Sequence, residues 1–125
     1  ESYPGPALIL AYSHCIAHGI NMATSMTHQK DVVQTGFWPL FRYDPRESEA
    51  GKLPFHLDSR KPSKPFKELA MQEGRFAMLS RMNPEHAERM FELAQRDIDE
   101  QWHYYEQMAG VQRGVAAGIK VTGAS

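Results

Sequence analysis

The chain has 125 residues, which is the size of one domain or of part of one. Its 14 lysine and arginine residues nearly balance its 15 aspartate and glutamate residues, and a net charge of −1 excludes the basic surface that nucleic-acid binders and polybasic membrane anchors need. Hydrophobic residues make up 42% of the chain, enough for a folded core. The longest apolar run, residues 7–12, is far shorter than the roughly 20 residues of a membrane-spanning helix. We therefore expect no nucleic acid and no membrane among its partners.

The chain contains a single cysteine, Cys15, so it cannot form an intrachain disulfide. Lone reduced cysteines are typical of a reducing compartment such as the cytoplasm. One cysteine is also too few for a self-contained zinc finger or an all-cysteine iron–sulfur site. The chain begins with Glu1 and not with Met, and its start lacks the basic leader of a signal peptide. We expect a piece of a longer cytoplasmic protein.

The first half of the chain predicts a mixture of strands and helix. Residues 7–12 are continuously apolar without alternation, which favours a strand buried on both faces, as in a parallel sheet covered by helices. Helical spacing follows from about Met22, and Gly36 is a good stop signal. The aromatic stretch 37–43 and the weakly alternating stretch 53–57 predict short strands at an edge of the sheet. The expected fold class is α/β, with an incomplete and partly parallel sheet.

The second half is predicted to be helical. A helix is expected from Phe66 to Met82, with Gly74 as a break or bend. The clearest helix runs from Pro84 to Ala109 after the N-cap Asn83, a length of about 39 Å at 1.5 Å per residue. Its apolar residues recur every three or four positions: Ala87, Phe91, Ala94, Ile98, Trp102, Tyr105 and Ala109. Small residues dominate after this helix, and we expect 111–125 to be a flexible tail. Histidines on the predicted helices, His28, His86 and His103, are predicted to be surface residues.

Residues 13–19 follow the predicted strand, which is where open α/β sheets bind their ligands. This segment holds Cys15 together with His14 and His18. The Cys-x-x-His spacing is compatible with a metal site, but one short loop cannot supply a closed tetrahedral ligand set. A buried free cysteine beside polar histidines is an alternative interpretation. A Cys–His nucleophilic pair is a third, and it requires a placed base and an oxyanion hole.

Several linked blocks of sequence occur in a fixed order along most of the chain. They are Tyr3-Pro4-Gly5-Pro6 with the apolar run up to Ser13, Cys15-Ile16, His18-Gly19, Gly36-Phe37-Trp38-Pro39-Leu40-Phe41-Arg42-Tyr43 with Pro45, Gly51-Lys52, Pro54-Phe55 and Leu57-Asp58-Ser59 with Pro62. In this order the blocks resemble the C-terminal end of the pyruvate:ferredoxin (flavodoxin) oxidoreductase family. The resemblance extends over roughly residues 3–109.

The resemblance implies a place within a large cytoplasmic, homo-oligomeric enzyme. Residues 1–110 would be the C-terminal fragment of its thiamine-diphosphate-binding and iron–sulfur domain, an α/β unit with a long C-terminal helix. The parent enzyme would convert pyruvate and coenzyme A to acetyl-CoA and CO2, with ferredoxin or flavodoxin as the electron acceptor. Thiamine diphosphate and Mg2+ would carry the carbon chemistry, and [4Fe–4S] clusters would carry the electrons.

The same resemblance implies a role for one residue of this chain. Cys15 stands at the position of the family's cysteine ligand to the [4Fe–4S] cluster nearest thiamine diphosphate, and the other three cysteine ligands would lie upstream. No catalytic residue and no residue that binds another cofactor is implied here, so the isolated chain should be inactive. His14 and Ala17 replace a proline and an asparagine that many members carry, which implies altered surroundings for the cluster.

Two other interpretations of the sequence stay open. One is a small stand-alone binding module in which residues 13–19 form a metal or ligand site. The other is an interaction or capping element without a site of its own.

Overall fold

The structure, a computed structural model, describes residues 2–112. In chain order the described helices and strands are α1 Ser25–Gln34, β1 Phe41–Tyr43, α2 Pro45–Glu49, β2 Phe55–Leu57, α3 Phe66–Ala70, α4 Gly74–Met82 and α5 Pro84–Ala109. Two short 3-10 turns, Ile16–His18 and Met22–Thr24, precede α1. Of the predicted flexible tail, residues 113–125 lie outside the described residues, and Val111 and Gln112 lie outside helix and strand.

The described residues contain one small sheet. Strands β1 and β2 pair antiparallel, with Phe41 opposite Leu57 and Tyr43 opposite Phe55. The predicted α/β class is met in one respect, since the described chain contains both helices and strands. The parallel part of the sheet, and the assignment to a thiamine-diphosphate-binding domain, stay predictions.

Residues 7–12 do not form the strand that their apolar sequence predicts. They lie outside helix and strand, and Leu8 and Ile9 are 85% and 87% exposed. A strand buried on both faces needs neighbouring strands and covering helices. Within residues 2–112 the only two strands pair with each other. Within the described chain residues 7–12 are therefore not a strand, and a strand buried on both faces at this position stays a prediction for the segment in a longer polypeptide.

The long helix α5 is confirmed, with the predicted bounds and the predicted cap. The Asn83 side-chain oxygen accepts a hydrogen bond from the amide of His86 at 3.1 Å, which satisfies a free amide of the first turn. One face of the helix buries Ala87, Phe91, Ile98 and Trp102. This face packs against α3, α4 and β2. None of the helices in residues 2–112 is both long and apolar enough to cross a bilayer.

The core gathers around the N-terminal part of α5. Its buried apolar residues are Val32, Phe66, Leu69, Ala70, Ala87, Phe91 and Ile98. The helix predicted from Phe66 to Met82, with its expected break or bend at Gly74, is broken into α3 and α4 directly before that residue, because Glu73 adopts an extended backbone (φ −103°, ψ 123°). This break turns the Glu73 side chain inward, where it is 1% exposed.

Candidate functional site

The loop of residues 13–19 presents its cysteine on an ordered turn. Cys15 is free and exposed. Its carbonyl oxygen accepts a hydrogen bond from the amide of His18 at 3.0 Å, and Gly19 donates to the carbonyl of Ile16 at 2.9 Å. These bonds make the 3-10 turn Ile16–His18. The thiol therefore belongs to a defined backbone geometry, and the interpretation of a buried cysteine is wrong.

One end of the loop is attached to helix α1 through Gln29. The Gln29 amide nitrogen donates to the Tyr12 carbonyl oxygen at 2.8 Å, and its amide oxygen lies 2.9 Å from Nδ1 of His14. A carbonyl oxygen only accepts, so the amide nitrogen faces Tyr12 and the amide oxygen faces His14. Nδ1 of His14 must then donate. One side chain thus holds the two residues that flank Ser13, just before Cys15.

The other end of the loop is attached to the start of α4. The carbonyl oxygen of Gly19 accepts a hydrogen bond from the amide of Gly74 at 3.0 Å. A Cβ atom on Gly19 would lie only 2.9 Å from the Cα of Gly74. Gly19 also has a φ of 72°, which L side chains rarely adopt. The two backbones therefore touch because both positions lack a side chain.

A buried ion pair lies directly beside this contact. Nε2 of His28 is 3.1 Å from Oε1 of Glu73, and their side chains are 3% and 2% exposed. The second oxygen of Glu73 accepts from Nε of Arg75. Nδ1 of His28 lies 3.2 Å from the amide oxygen of Gln72. The prediction of His28 as a surface residue is wrong, because Glu73 and Gln72 provide acceptors that allow a polar ring to be buried.

The ion pair continues into a network that joins the segments around the loop. Gln72 donates its amide to Oδ2 of Asp31 at 3.0 Å, and Lys64 donates to Oδ1 at 2.6 Å. Burial acts to raise the pKa of Asp31, but the hydrogen bonds from Lys64 and Gln72 outweigh it and hold that pKa below the ordinary value. The network thereby links α1, the segment before α3 and the start of α4. Only the polar pair of Gln72 and Glu73, set beside Gly74 in an apolar helical stretch, hinted at it in the sequence.

Tyr12 joins the loop to the core. Its ring lies 5.5 Å from the ring of Trp38 and 6.1 Å from that of Phe37, measured between centroids. Burial raises the pKa of Tyr12, the charge of Glu73 raises it further, and the charge of Arg75 opposes both. The loop is therefore held by packing as well as by hydrogen bonds.

Cys15 and its neighbouring histidines do not form a complete metal site by themselves. Among residues 2–112 no group of three or more histidine, cysteine, aspartate or glutamate side chains is arranged to hold a metal ion. The arrangement provides one exposed thiol on a fixed turn. Chemically, this arrangement offers one soft sulfur donor.

Comparison with known proteins identifies similar segments in much longer oxidoreductases. No protein-family profile matches the chain. A protein of Synechocystis sp. is 50% identical over 109 residues, and a pyruvate-flavodoxin oxidoreductase of Nostoc sp. is 47% identical over 109 residues. A pyruvate:ferredoxin oxidoreductase of Moorella thermoacetica is 42% identical over 109 residues. Each alignment covers 87% of this chain and 9% of the relative.

The names and the alignments agree with the resemblance that the ordered sequence blocks indicate, which is thereby confirmed. This chain is homologous to a segment, about 9% of the total length, of the pyruvate-flavodoxin and pyruvate:ferredoxin oxidoreductases.

Proposed function

We propose that this chain acts as part of a cytoplasmic, homo-oligomeric enzyme that oxidises pyruvate with coenzyme A to acetyl-CoA and CO2. The electrons released would pass through [4Fe–4S] clusters to flavodoxin or ferredoxin, the acceptors that the relatives' names contain. Residues 1–110 would belong to the domain that binds thiamine diphosphate and Mg2+. The sequence identity of 42–50% over most of the chain supports this assignment.

Within that enzyme the chain would contribute Cys15 as one ligand of a [4Fe–4S] cluster. The observation that carries this proposal is the exposed thiol on a turn whose two ends are fixed to α1 and α4. Thiolates are the usual ligands of such clusters, and a cluster conducts single electrons. Because Cys15 is exposed, it could bind a cluster shared with another segment without rearrangement of the core. Residues 2–112 contain no group of three or more side chains arranged to hold a metal ion. The other three cysteine ligands would come from another part of the polypeptide.

The exposed apolar run 7–12 supports the placement within a larger domain. Leu8, Ile9 and Leu10 are between 68% and 87% exposed in the chain alone. Their continuous apolar pattern is the one found in strands covered on both faces. The rest of the polypeptide would supply the neighbouring strands, and residues 13–19 would then follow a strand end, beside the bound thiamine diphosphate.

The test is the substitution Cys15→Ser in the full-length enzyme, followed by iron content and electron paramagnetic resonance. A serine oxygen replaces a soft thiolate poorly, so we expect the loss of one cluster's signal and of its iron. Ser13→Ala, in the same exposed loop, is the matched control, because the Ser13 hydroxyl contacts only the carbonyl of the adjacent His14. A full iron content and an unchanged set of cluster signals in Cys15→Ser would show that Cys15 is not a ligand.

A further inference from the structure

We infer that Gln29 is a positioning residue for Cys15. Its side-chain amide holds the chain just before the cysteine, and so it sets how the thiol is presented. This inference rests on the proposed role of Cys15 as a cluster ligand.

The inference starts from the two hydrogen bonds of one amide group. The nitrogen donates to the Tyr12 carbonyl at 2.8 Å, and the oxygen accepts from Nδ1 of His14 at 2.9 Å. The side chain therefore spans the Tyr12–His14 step and fixes a backbone group at one end and a ring at the other. The next residue along the chain is Cys15.

Gln29 lies on a rigid support. It belongs to α1, and its neighbours in that helix, His28 and Asp31, are 2% and 4% exposed within the buried network. A displacement of α1 would break the contacts of His28 with Glu73. The position of Gln29 is therefore determined by the core, and its amide transmits that position to the loop.

The other attachment of the loop cannot replace this contact. Gly19 is bonded to Gly74 at the far side of the 3-10 turn, four residues after the cysteine. The hydrogen bonds inside the turn fix its shape, but they do not fix how the turn is oriented relative to Tyr12. Without the Gln29 amide, residues 12–14 lose both of their side-chain hydrogen bonds to α1, and the ring packing of Tyr12 against Phe37 and Trp38 remains.

The experiment uses Gln29→Leu in the full-length protein that contains this segment, with hydrogen–deuterium exchange of peptides as the first readout. The amides of His18 and Gly19, which are bonded within the turn, should exchange about 5- to 30-fold faster, the effect of losing about one to two kcal/mol of local stabilisation. Peptides from α5 should exchange as in the wild type. Gln34→Leu, at the end of the same helix, is the matched control, because Gln34 accepts hydrogen bonds from Ser63 and Lys64 through its backbone carbonyl, which the substitution retains.

The second readout is the electron paramagnetic resonance of the clusters. We expect one cluster's signal to change in Gln29→Leu while the iron content stays that of the wild type. A role in folding alone would raise exchange in α5 and in the loop together, and that result would overturn the inference. Wild-type exchange in residues 13–19 would overturn it as well.

The outcome also separates this inference from the proposed function. Faster loop exchange with unchanged cluster signals would overturn the link between Gln29 and a cluster, whereas Cys15→Ser tests ligation itself. If Gln29→Leu does not accumulate, Gln29→Glu is the second variant. It retains the volume and an oxygen acceptor for His14 but sets a second carboxylate oxygen against the Tyr12 carbonyl, where neither atom can donate. The same changes are therefore expected, and their absence would count against the inference.

Discussion

The carbonyl oxygen of Gly19 accepts a hydrogen bond from the amide of Gly74 at 3.0 Å, at a point where a Cβ on Gly19 would clash with Gly74 and a Cβ on Gly74 would be in tight contact with Gly19. This contact joins the loop that carries Cys15 to the first residue of α4. It lies next to Glu73, whose side chain is in the buried ion pair. The loop and the ion pair therefore depend on the same break between α3 and α4.

Replacement of Gly19 by alanine should destabilise the fold strongly. The added Cβ would lie 2.9 Å from the Cα of Gly74, and the φ of 72° is unfavourable for alanine. We expect a loss of about 3 kcal/mol in the free energy of unfolding, measured by urea denaturation. Gly51→Ala separates the two effects, because Gly51 has a φ of 73° and a Cβ added there would meet no atom within 4 Å. That control should cost about 1–2 kcal/mol, and equal losses in both variants would contradict the steric argument.

Removal of the charge of Glu73 should also be costly. Glu73→Gln removes the carboxylate that His28 and Arg75 contact, and the loss of a hydrogen bond to a charged group typically costs about 1.5–3 kcal/mol. The half-exposed pair of Lys67 and Glu88 provides the comparison, since Glu88→Gln should cost no more than about 1 kcal/mol. Thermal or urea unfolding of both variants measures the difference. Similar losses for the two substitutions would mean that the buried network contributes little.

The acid side of the stability profile should depend on Asp31. Its pKa is lowered in the folded chain, so its contribution is complete above the ordinary aspartate pKa of about 3.9 and is lost as the pH falls through the folded value. The hydrogen bond from Arg46 is the main reason why the pKa of Asp44 is lowered to about 2. The stability that Asp44 contributes is therefore also lost as the pH falls. The difference in unfolding free energy between wild type and Asp31→Asn should therefore shrink as the pH falls below the ordinary aspartate pKa of about 3.9. A difference that stays constant as the pH is lowered through this range would contradict the assignment.

The thiol of Cys15 should be accessible in the isolated 125-residue chain. Because the residue is exposed and free, a thiol reagent should modify one group per chain without denaturant. Mass spectrometry of the native and the urea-unfolded chain gives the comparison. Modification that occurs only after unfolding would mean that the loop closes over the thiol in solution.

The isolated chain should not oxidise pyruvate. It aligns with 9% of its relatives' length and contains one cysteine, so it cannot complete a four-cysteine cluster. The measurement is dye reduction that depends on pyruvate and coenzyme A, with denatured protein as the blank. Turnover above that blank would refute the proposal that this chain is one part of a longer enzyme and needs the rest for activity.

Local signals in the sequence were sufficient for the long helix. Asn83 and Pro84 mark its start, and a 3.6-residue period from Ala87 to Trp102 marks its buried face. These signals depend on neighbours within one or two turns, which is why they are readable without the fold. The exposure of Cys15 was not readable from such signals, because the sequence also allowed a buried free cysteine.

Long-range partners were not readable. The burial of His28 depends on Gln72 and Glu73, which lie 44 and 45 positions later in the chain. Gln29 looks like an ordinary polar helix residue until the fold places it beside Tyr12. The strand predicted for residues 7–12 is absent from the described chain for a related reason, because a strand is defined by neighbours that the described residues do not supply.

The exposed run of residues 7–12 also has a consequence for biosynthesis. The run consists of apolar and strand-favouring residues and contains no charged residue and no proline. This composition is typical of segments that stack into intermolecular sheets. While Leu8, Ile9 and Leu10 remain uncovered, other copies of the chain would compete for this backbone with the neighbouring strands of the proposed larger domain. The yield of soluble protein should therefore depend on how quickly this segment is covered after synthesis, and slower covering should leave more chains bound to chaperones or lost to aggregates.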